Sequence, residues 1–420
     1  MARGGPATMK MKKAAMEKAA IKKAATALLV LLGTVFVAAD ARAAEDTEGF
    51  HFGGGVNAAN DSNVFRTSPT DPAGVTSAYV TTLYGLASFD RTYGQQHVFA
   101  NVNFGRVLYS GGLSPYDYSS QTVDAGYRLG SWQRFNVGIE WVRSAAQVNF
   151  GDTLFKVPDV VTRDSLTVDV DQPVIGDWHL VANATGSFER YSDSLSSVSN
   201  LDRFGGQVGV RYVPIYGNRI DLYLGQTRGR YPNGATTAFN DAAYRDRLAD
   251  LSVSWHFSGS SRLDGHVGYS QRRNNTLTFR DFSGLSSDLT WVWAPTGKLT
   301  LTLSGSRVMG AAGDVEFLTA STKTWRLAPA WQATEKIKLE AALYRSVRDY
   351  FGQGLALAPG GPLPAATHND TILGGSLTAT WAMERWLTLS ADLRAEHRDS
   401  NLPNWAYSGR IAGISVRVWL

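Results

Sequence analysis

From residue 44 to the C-terminus, apolar and polar residues alternate in runs that recur roughly every 20 residues, joined in turn by a very short link and a long polar loop. Successive side chains of an extended strand point to opposite faces, so each run is a ribbon with one greasy and one wet side. Between Lys298 and Ser304, Leu299, Leu301 and Leu303 alternate with Thr300, Thr302 and Ser304. From Trp386 to Glu396, Leu387, Leu389, Ala391, Leu393 and Ala395 share one face, and Thr388, Ser390, Asp392, Arg394 and Glu396 the other. Three charges on one face imply a wet interior behind an apolar wall. Phe135–Trp141 and Trp178–Ala184 follow the same rule.

Ribbons of this kind, with short turns at one end and long loops at the other, predict an all-β fold: a transmembrane antiparallel up-and-down β-barrel. We count about 18 strands, with 16 as the alternative, starting near residues 50, 76, 95, 115, 134, 160, 177, 201, 219, 245, 261, 278, 297, 319, 336, 369, 386 and 406. An even count puts both termini on the short-turn side, the periplasm, and the long loops outside. Eight of the 12 tryptophans (Trp132, Trp178, Trp255, Trp293, Trp331, Trp381, Trp386 and Trp419) fall in or beside the short turns or the C-terminus. Indole rings favour a membrane interface, so one rim is marked as lying there. The final strand alternates Ile414, Val416, Val418 and Leu420, with Trp419 penultimate, which resembles the C-terminal signal of barrel assembly, with Leu in place of the usual terminal aromatic.

Residues 1–43 are of another kind. Lys10, Lys12, Lys13, Lys18, Lys22 and Lys23 precede an apolar stretch from Ala24 to Ala39, and Ala41-Arg42-Ala43 supplies small residues for cleavage. This predicts a secretory signal peptide over 1–43 and a barrel over 44–420; the apolar stretch is shorter than the ~20 residues of a spanning helix. The net charge of +4 becomes −2 without that leader, which holds eight basic and two acidic residues. The basic balance therefore gives no reason to expect nucleic acid. There is no cysteine, which excludes disulfides, thiolate metal sites and a lipid-modified anchor.

Two short segments carry a resemblance. Asp61-Ser62-Asn63-Val64-Phe65-Arg66 after a glycine-rich run, then Tyr93-Gly94-Gln95-Gln96, resemble the D-x-N-x-F-R and Y-G-x-Q signatures of the EpsL-type outer-membrane porins of exopolysaccharide operons. The resemblance makes Asp61, Asn63, Phe65, Arg66, Tyr93, Gly94 and Gln96 the family-motif residues. It implies a pore or conduit in exopolysaccharide assembly or export, with outer-membrane lipid around it, polysaccharide or small hydrophilic solutes as cargo, and periplasmic export proteins as partners. A general diffusion porin, or a plugged barrel acting as scaffold, fits the same wall. No cofactor is called for.

Candidate selectivity residues on the presumed wet face are Arg228, Arg230, Arg345, Arg394, Glu140, Glu189 and Glu396. Such charges tune ion and sugar passage, or pair with one another to hold the wall. The loop from Phe150 to Thr162, with Phe155, Lys156, Pro158 and Asp159, either folds into the bore or stays solvated. Residues 351–367 are apolar enough to form a lid or meet a partner, and Tyr116, Tyr118, Tyr231 and Phe239 are placed to stack on sugar rings. An outer-membrane hydrolase would need a nucleophile and a base, for which His256-Phe257-Ser258 is the one match, without a supporting acid.

Overall fold

The computed structural model describes residues 49–71, 74–130, 135–153, 156–214, 217–234, 241–311, 319–351 and 368–420. The expected signal peptide over 1–43, Trp132, Phe155, Phe239 and residues 352–367 of the apolar loop lie outside them.

The strands are β1 Gly49–Asp61, β2 Ala78–Tyr93, β3 Gln96–Tyr109, β4 Tyr118–Gly130, β5 Asn136–Gln147, β6 Val160–Ile175, β7 Trp178–Tyr191, β8 Leu201–Tyr212 and β9 Arg219–Arg230, followed by β10 Ala243–Ser258, β11 Ser261–Asn274, β12 Phe282–Thr296, β13 Leu299–Ala311, β14 Thr319–Gln332, β15 Ile337–Phe351, β16 Asn369–Glu384, β17 Leu387–Ser400 and β18 Tyr407–Trp419. Each pairs antiparallel with the next, and β1 pairs with β18 to close an 18-stranded ring. Closure leaves no open sheet edge, whose unpaired backbone donors and acceptors could not stand in hydrocarbon. The count of 18 holds over 16, and the strand starts agree with the sequence pattern to within four residues. The largest offsets, at β4 and β12, arise where 3₁₀ turns at Ser114–Tyr116 and Thr278–Arg280 occupy the residues expected to begin the strand.

Alternation assigns the two faces. Leu222 and Leu224 on β9, Leu285 and Leu289 on β12, Leu373 and Leu377 on β16, and Leu393 on β17 are exposed on the outside. Inside, the same β17 turns Thr388, Ser390, Asp392, Arg394, Glu396 and Arg398 toward the bore. Trp178, Trp293, Trp331, Trp381 and Trp386 are exposed at the short-turn rim, whereas Trp419 lies over Gly53 on the inner face. The β2–β3 link is a two-residue turn: Tyr93 pairs directly with Gln96, and Gly94 takes φ +62°, a left-handed conformation cheap only for glycine.

Candidate functional site

The bore is not an empty cylinder at its long-loop end, because the described parts of the loop between β5 and β6, residues 148–153 and 156–159, fold into it. Its base is closed by Val148 N–H donating to the Asp159 carbonyl at 2.9 Å. Asn149 then starts a one-turn 3₁₀ helix, Phe150–Asp152, its Oδ1 accepting from Gly151 N–H at 2.9 Å and its Nδ2 donating to Asp152 at 2.9 Å. This short turn presents Phe150 one way and Asp152 the other.

Phe150 is 5% exposed and packs with Val64, Phe65 and Ala78, with Tyr109, Leu113 and Tyr116 around them. The Phe65, Tyr116 and Phe150 rings lie 4.8 to 5.8 Å apart, two of the three contacts edge-on, the favoured geometry of aromatic pairs. The loops after β1, β3 and β5 thus share one small hydrophobic core. Asp152 reaches the far wall, where the Arg348 guanidinium of β15 donates to it at 2.9 Å. Arg398 of β17, 0% exposed, donates to the Gly151 carbonyl and ion-pairs with Asp370 of β16, and its guanidinium lies 4.9 Å from the Trp405 ring. His368 Nε2 lies 2.9 Å from the other Asp370 oxygen. Neighbouring Tyr344 and Tyr407 both donate to Glu396. The loop is therefore held across the lumen from β5 and β6, by aromatic packing against the loops after β1 and β3 and by buried charge on β15 to β17, neighbouring sectors of the ring.

Lys156 completes the arch. Its Nζ donates to the Thr153 carbonyl at 2.5 Å and to that of Phe150, while Tyr116 Oη donates to the Lys156 carbonyl at 2.6 Å. Burial, helped by the nearby Arg398, lowers its ammonium to about 8.

The motif residues sit at the barrel seam. Asp61, the last residue of β1, accepts from Asn63 N–H at 2.9 Å and from Arg66 at 2.8 and 2.9 Å. Asn63, 1% exposed, donates to the Thr67 carbonyl at 2.9 Å and, across the seam, to the Ser408 carbonyl at 3.0 Å, and accepts from Thr67 N–H at 3.0 Å. Arg66 adopts φ +52° to make its bonds, strained backbone held by this network. Phe65 belongs to the loop core, and Tyr93, Gly94 and Gln96 form the β2–β3 turn at the opposite rim, where Tyr127 Oη donates to Gln96 at 3.1 Å.

Of the charges expected in the lumen, Glu140, Glu189, Arg394 and Glu396 face inward. Glu140 is 4.0 Å from Arg128, Glu189 is 2.9 Å from Arg163 and 4.0 Å from Arg203, and Arg394 is 3.9 Å from Asp392. Arg228, Arg230 and Arg345 do not face the lumen. Arg228 and Arg230 share a face with Leu222 and Leu224, and Arg345 shares one with Leu343, so all three stand on the outer wall. Arg228 and Arg230 lie near the long-loop end of β9, where an outward position can carry charge, whereas Arg345 stands near the middle of β15, with Trp325 and Leu373 as its cross-strand neighbours. Tyr116 lies in the 3₁₀ turn of the β3–β4 loop and Tyr118 begins β4, and Tyr231 packs on Tyr244 with ring centres 6.1 Å apart. His256 and Ser258 occupy the short-turn rim, where Ser258 Oγ is 3.3 Å from Ser260 Oγ and His256 N–H donates to Asn218 at 2.7 Å. The residues that sequence reasoning missed are Asp152, Arg348, Asp370 and Arg398. Arg398 and Asp370 share the wet faces of their strands, a signal that was present, but only the inward loop reveals what they hold.

Residues 250–420 match the family described as "Putative beta-barrel porin 2". Comparison with curated proteins gives no match. Among solved structures the chain is similar to a BenF-like porin from Pseudomonas fluorescens, with 10% identity, 89% of this chain and 98% of that one covered, and a TM-score of 0.50. It is also similar to Pseudomonas aeruginosa OpdK crystallised with vanillate, with 10% identity, coverage of 88% and 99%, and a TM-score of 0.48. At such identities the likeness is one of fold. A closed wall of 18 antiparallel strands, apolar outside and charged inside, makes this chain an outer-membrane β-barrel whose C-terminal part matches that porin family.

Proposed function

We propose that the barrel is a passive channel for small hydrophilic solutes, narrowed by the inward loop 148–159. The observation that carries this reading is the loop itself: Phe150 anchored near one wall and Asp152 held by Arg348 from another leave a bore lined by paired charges, hydroxyls and tyrosines. An 18-stranded barrel is wide enough for an aqueous path, and a loop across it sets the size limit. Such passage needs no catalysis and no cofactor. Glu140, Glu189, Arg394 and Glu396 tune which charge passes, while their bonds to Arg128, Arg163, Asp392, Tyr344 and Tyr407 keep the wall in register.

Export of an exopolysaccharide, the role implied by the motif resemblance, is less well supported. A polymer would have to thread past a loop fixed at both ends, and Asp61, Asn63 and Arg66 are occupied with one another and the seam. Liposome swelling with sugars of increasing size tests the proposal. Monosaccharides should enter and oligosaccharides should be excluded; purified folded barrel that passes neither ions nor sugars would end the channel reading and leave a scaffold. A deletion strain that stops secreting polysaccharide would restore the conduit.

A further inference from the structure

The outward arginines of β9 and β10 form a row that the fold alone does not explain. Arg228 pairs directly across the strands with Arg245, and Arg245 with Arg273. Arg230 and Arg247 flank that row on the same outer face. Like charges set directly opposite on a sheet destabilise it. Arg273 is relieved by Asp281 at 2.9 Å, and Asp202, the cross-strand neighbour of Arg230, is engaged by Arg190. Arg228, Arg230, Arg245 and Arg247 have no ion-pair or hydrogen-bond partner among the described residues. Four exposed guanidiniums therefore share one patch of wall in which the one carboxylate lining the groove, Asp202, is already taken by Arg190.

Two further observations say what belongs there. The first is depth: on β10, Arg245 stands ten residues from Trp255 on the same outward row. At ~3.3 Å per residue and a tilt of about 40°, that is ~25 Å along the barrel axis, the height of the apolar band in such barrels. The row thus meets the head groups of the leaflet on the long-loop side. The second is shape: Phe188 and Phe204 line a groove with Arg228, Arg230 and Arg245. Directly below, toward the short-turn rim, the small residues Ala182, Ala184 and Gly206 sink the wall between Val168, Val208 and Leu224 into an apolar trough.

We propose that this stretch of outer wall is a binding site for one phosphorylated lipid of the outer leaflet, its phosphates held by Arg228, Arg230, Arg245 and Arg247 and an acyl chain lying in the trough of Ala182, Ala184 and Gly206. Arginine suits the task because its planar fork binds phosphate bidentately and keeps its charge when partly desolvated. A head-group site above a chain-shaped depression fits a membrane lipid rather than a free anion.

Native mass spectrometry of the detergent-purified full barrel, titrated with diphosphoryl lipid A, tests this. One retained lipid per barrel is expected, with monophosphoryl lipid A several-fold weaker and phosphatidylcholine and inorganic phosphate failing to compete. The double variant R228S/R245S should weaken binding at least tenfold, and Ala184→Trp, which fills the trough without touching charge, should do so too. These positions face lipid, so the heat-shifted gel band of the folded barrel should persist; should Ala184→Trp not fold, Ala184→Leu takes its place. Undiminished binding in R228S/R245S, or phosphatidylcholine bound as tightly as lipid A, would overturn the site. Loss in the arginine variant together with full retention in the trough variant would overturn the acyl-chain half and leave an anion patch alone.

Discussion

Replacing Phe150 by Ala should release the inward loop and widen the channel. The ring is 5% exposed and sits against Phe65, Tyr116, Val64 and Ala78, so its removal leaves a hole under the loop rather than a trimmed surface. Buried Phe→Ala changes cost ~3–5 kcal/mol in lost transfer energy and cavity. At ~1.4 kcal/mol per factor of ten, that shifts the docked-to-released ratio of the loop by roughly 100- to 4,000-fold. Local openings of loops cost less than global unfolding, so a shift of this size turns a rare excursion into a frequent one. The strands do not depend on this contact, and the folded barrel should survive. In planar bilayers the variant should show a larger and noisier single-channel conductance than the parent, and a protease acting on the folded barrel should cut between residues 148 and 159. The same conductance, noise and resistance to cleavage in both proteins would mean that the loop does not govern the bore.

Arg398→Met should lower the unfolding temperature and raise conductance, because it strands the buried Asp370 carboxylate and frees the Gly151 carbonyl; breaking one side of a buried pair costs ~3–5 kcal/mol, and the double variant R398M/D370N should recover much of it, as read by heat-shifted gel mobility. Lys156 gives a pH signature: its proton is bound less tightly in the docked loop, about 8, than at its ordinary value of 10.5, so the penalty on docking is full below pH 8 and fades as pH rises from there to about 10.5. Gating should quieten and anion preference fall over that window, and Lys156→Met should abolish the trend in current recordings at pH 7 and pH 10. Asn63→Ala removes a side chain that bonds the Thr67 and Ser408 carbonyls, leaving buried groups unpaired; a loss of about 1–3 kcal/mol is expected as a lower urea midpoint, with conductance unchanged.

The barrel was legible in the sequence because its wall obeys a period of two over every strand, and turn length supplies the rest. What alternation cannot supply is absolute depth. Arg228, Arg230 and Arg345 read as lumenal because a charge in an alternating run suggests water, yet all three face outward; for Arg228 and Arg230, at the long-loop end of β9, the outer face meets water and head groups as well. The inward loop was visible as a possibility in Phe150, Lys156 and Asp159, but its anchorage was not: Asp152 meets Arg348 across 196 positions of sequence and Gly151 meets Arg398 across 247. Such meetings depend on the curvature of a closed ring, which no local pattern encodes. The motif from Asp61 to Arg66 was recognisable by its letters, whereas its bond to the Ser408 carbonyl appears only once the ends meet.

That meeting has a kinetic side. Asn57 of β1 donates to the carbonyl of Ile414 on β18, 357 residues away. Joining chain ends at such separation costs about 5 kcal/mol of loop entropy by the (3/2)RT ln n rule, roughly twice that of a neighbouring hairpin. The hairpins β2–β3 to β16–β17 can therefore form before the ring shuts, and during that interval β1 and β18 are bare edges able to pair with any other strand. The Asp61-Asn63-Arg66 knot, with Ser62 N–H donating to the Arg410 carbonyl at 2.9 Å, acts as a latch on that last step. Weakening it should leave the finished pore conducting as before while lengthening the time the chain spends unclosed and prone to aggregate.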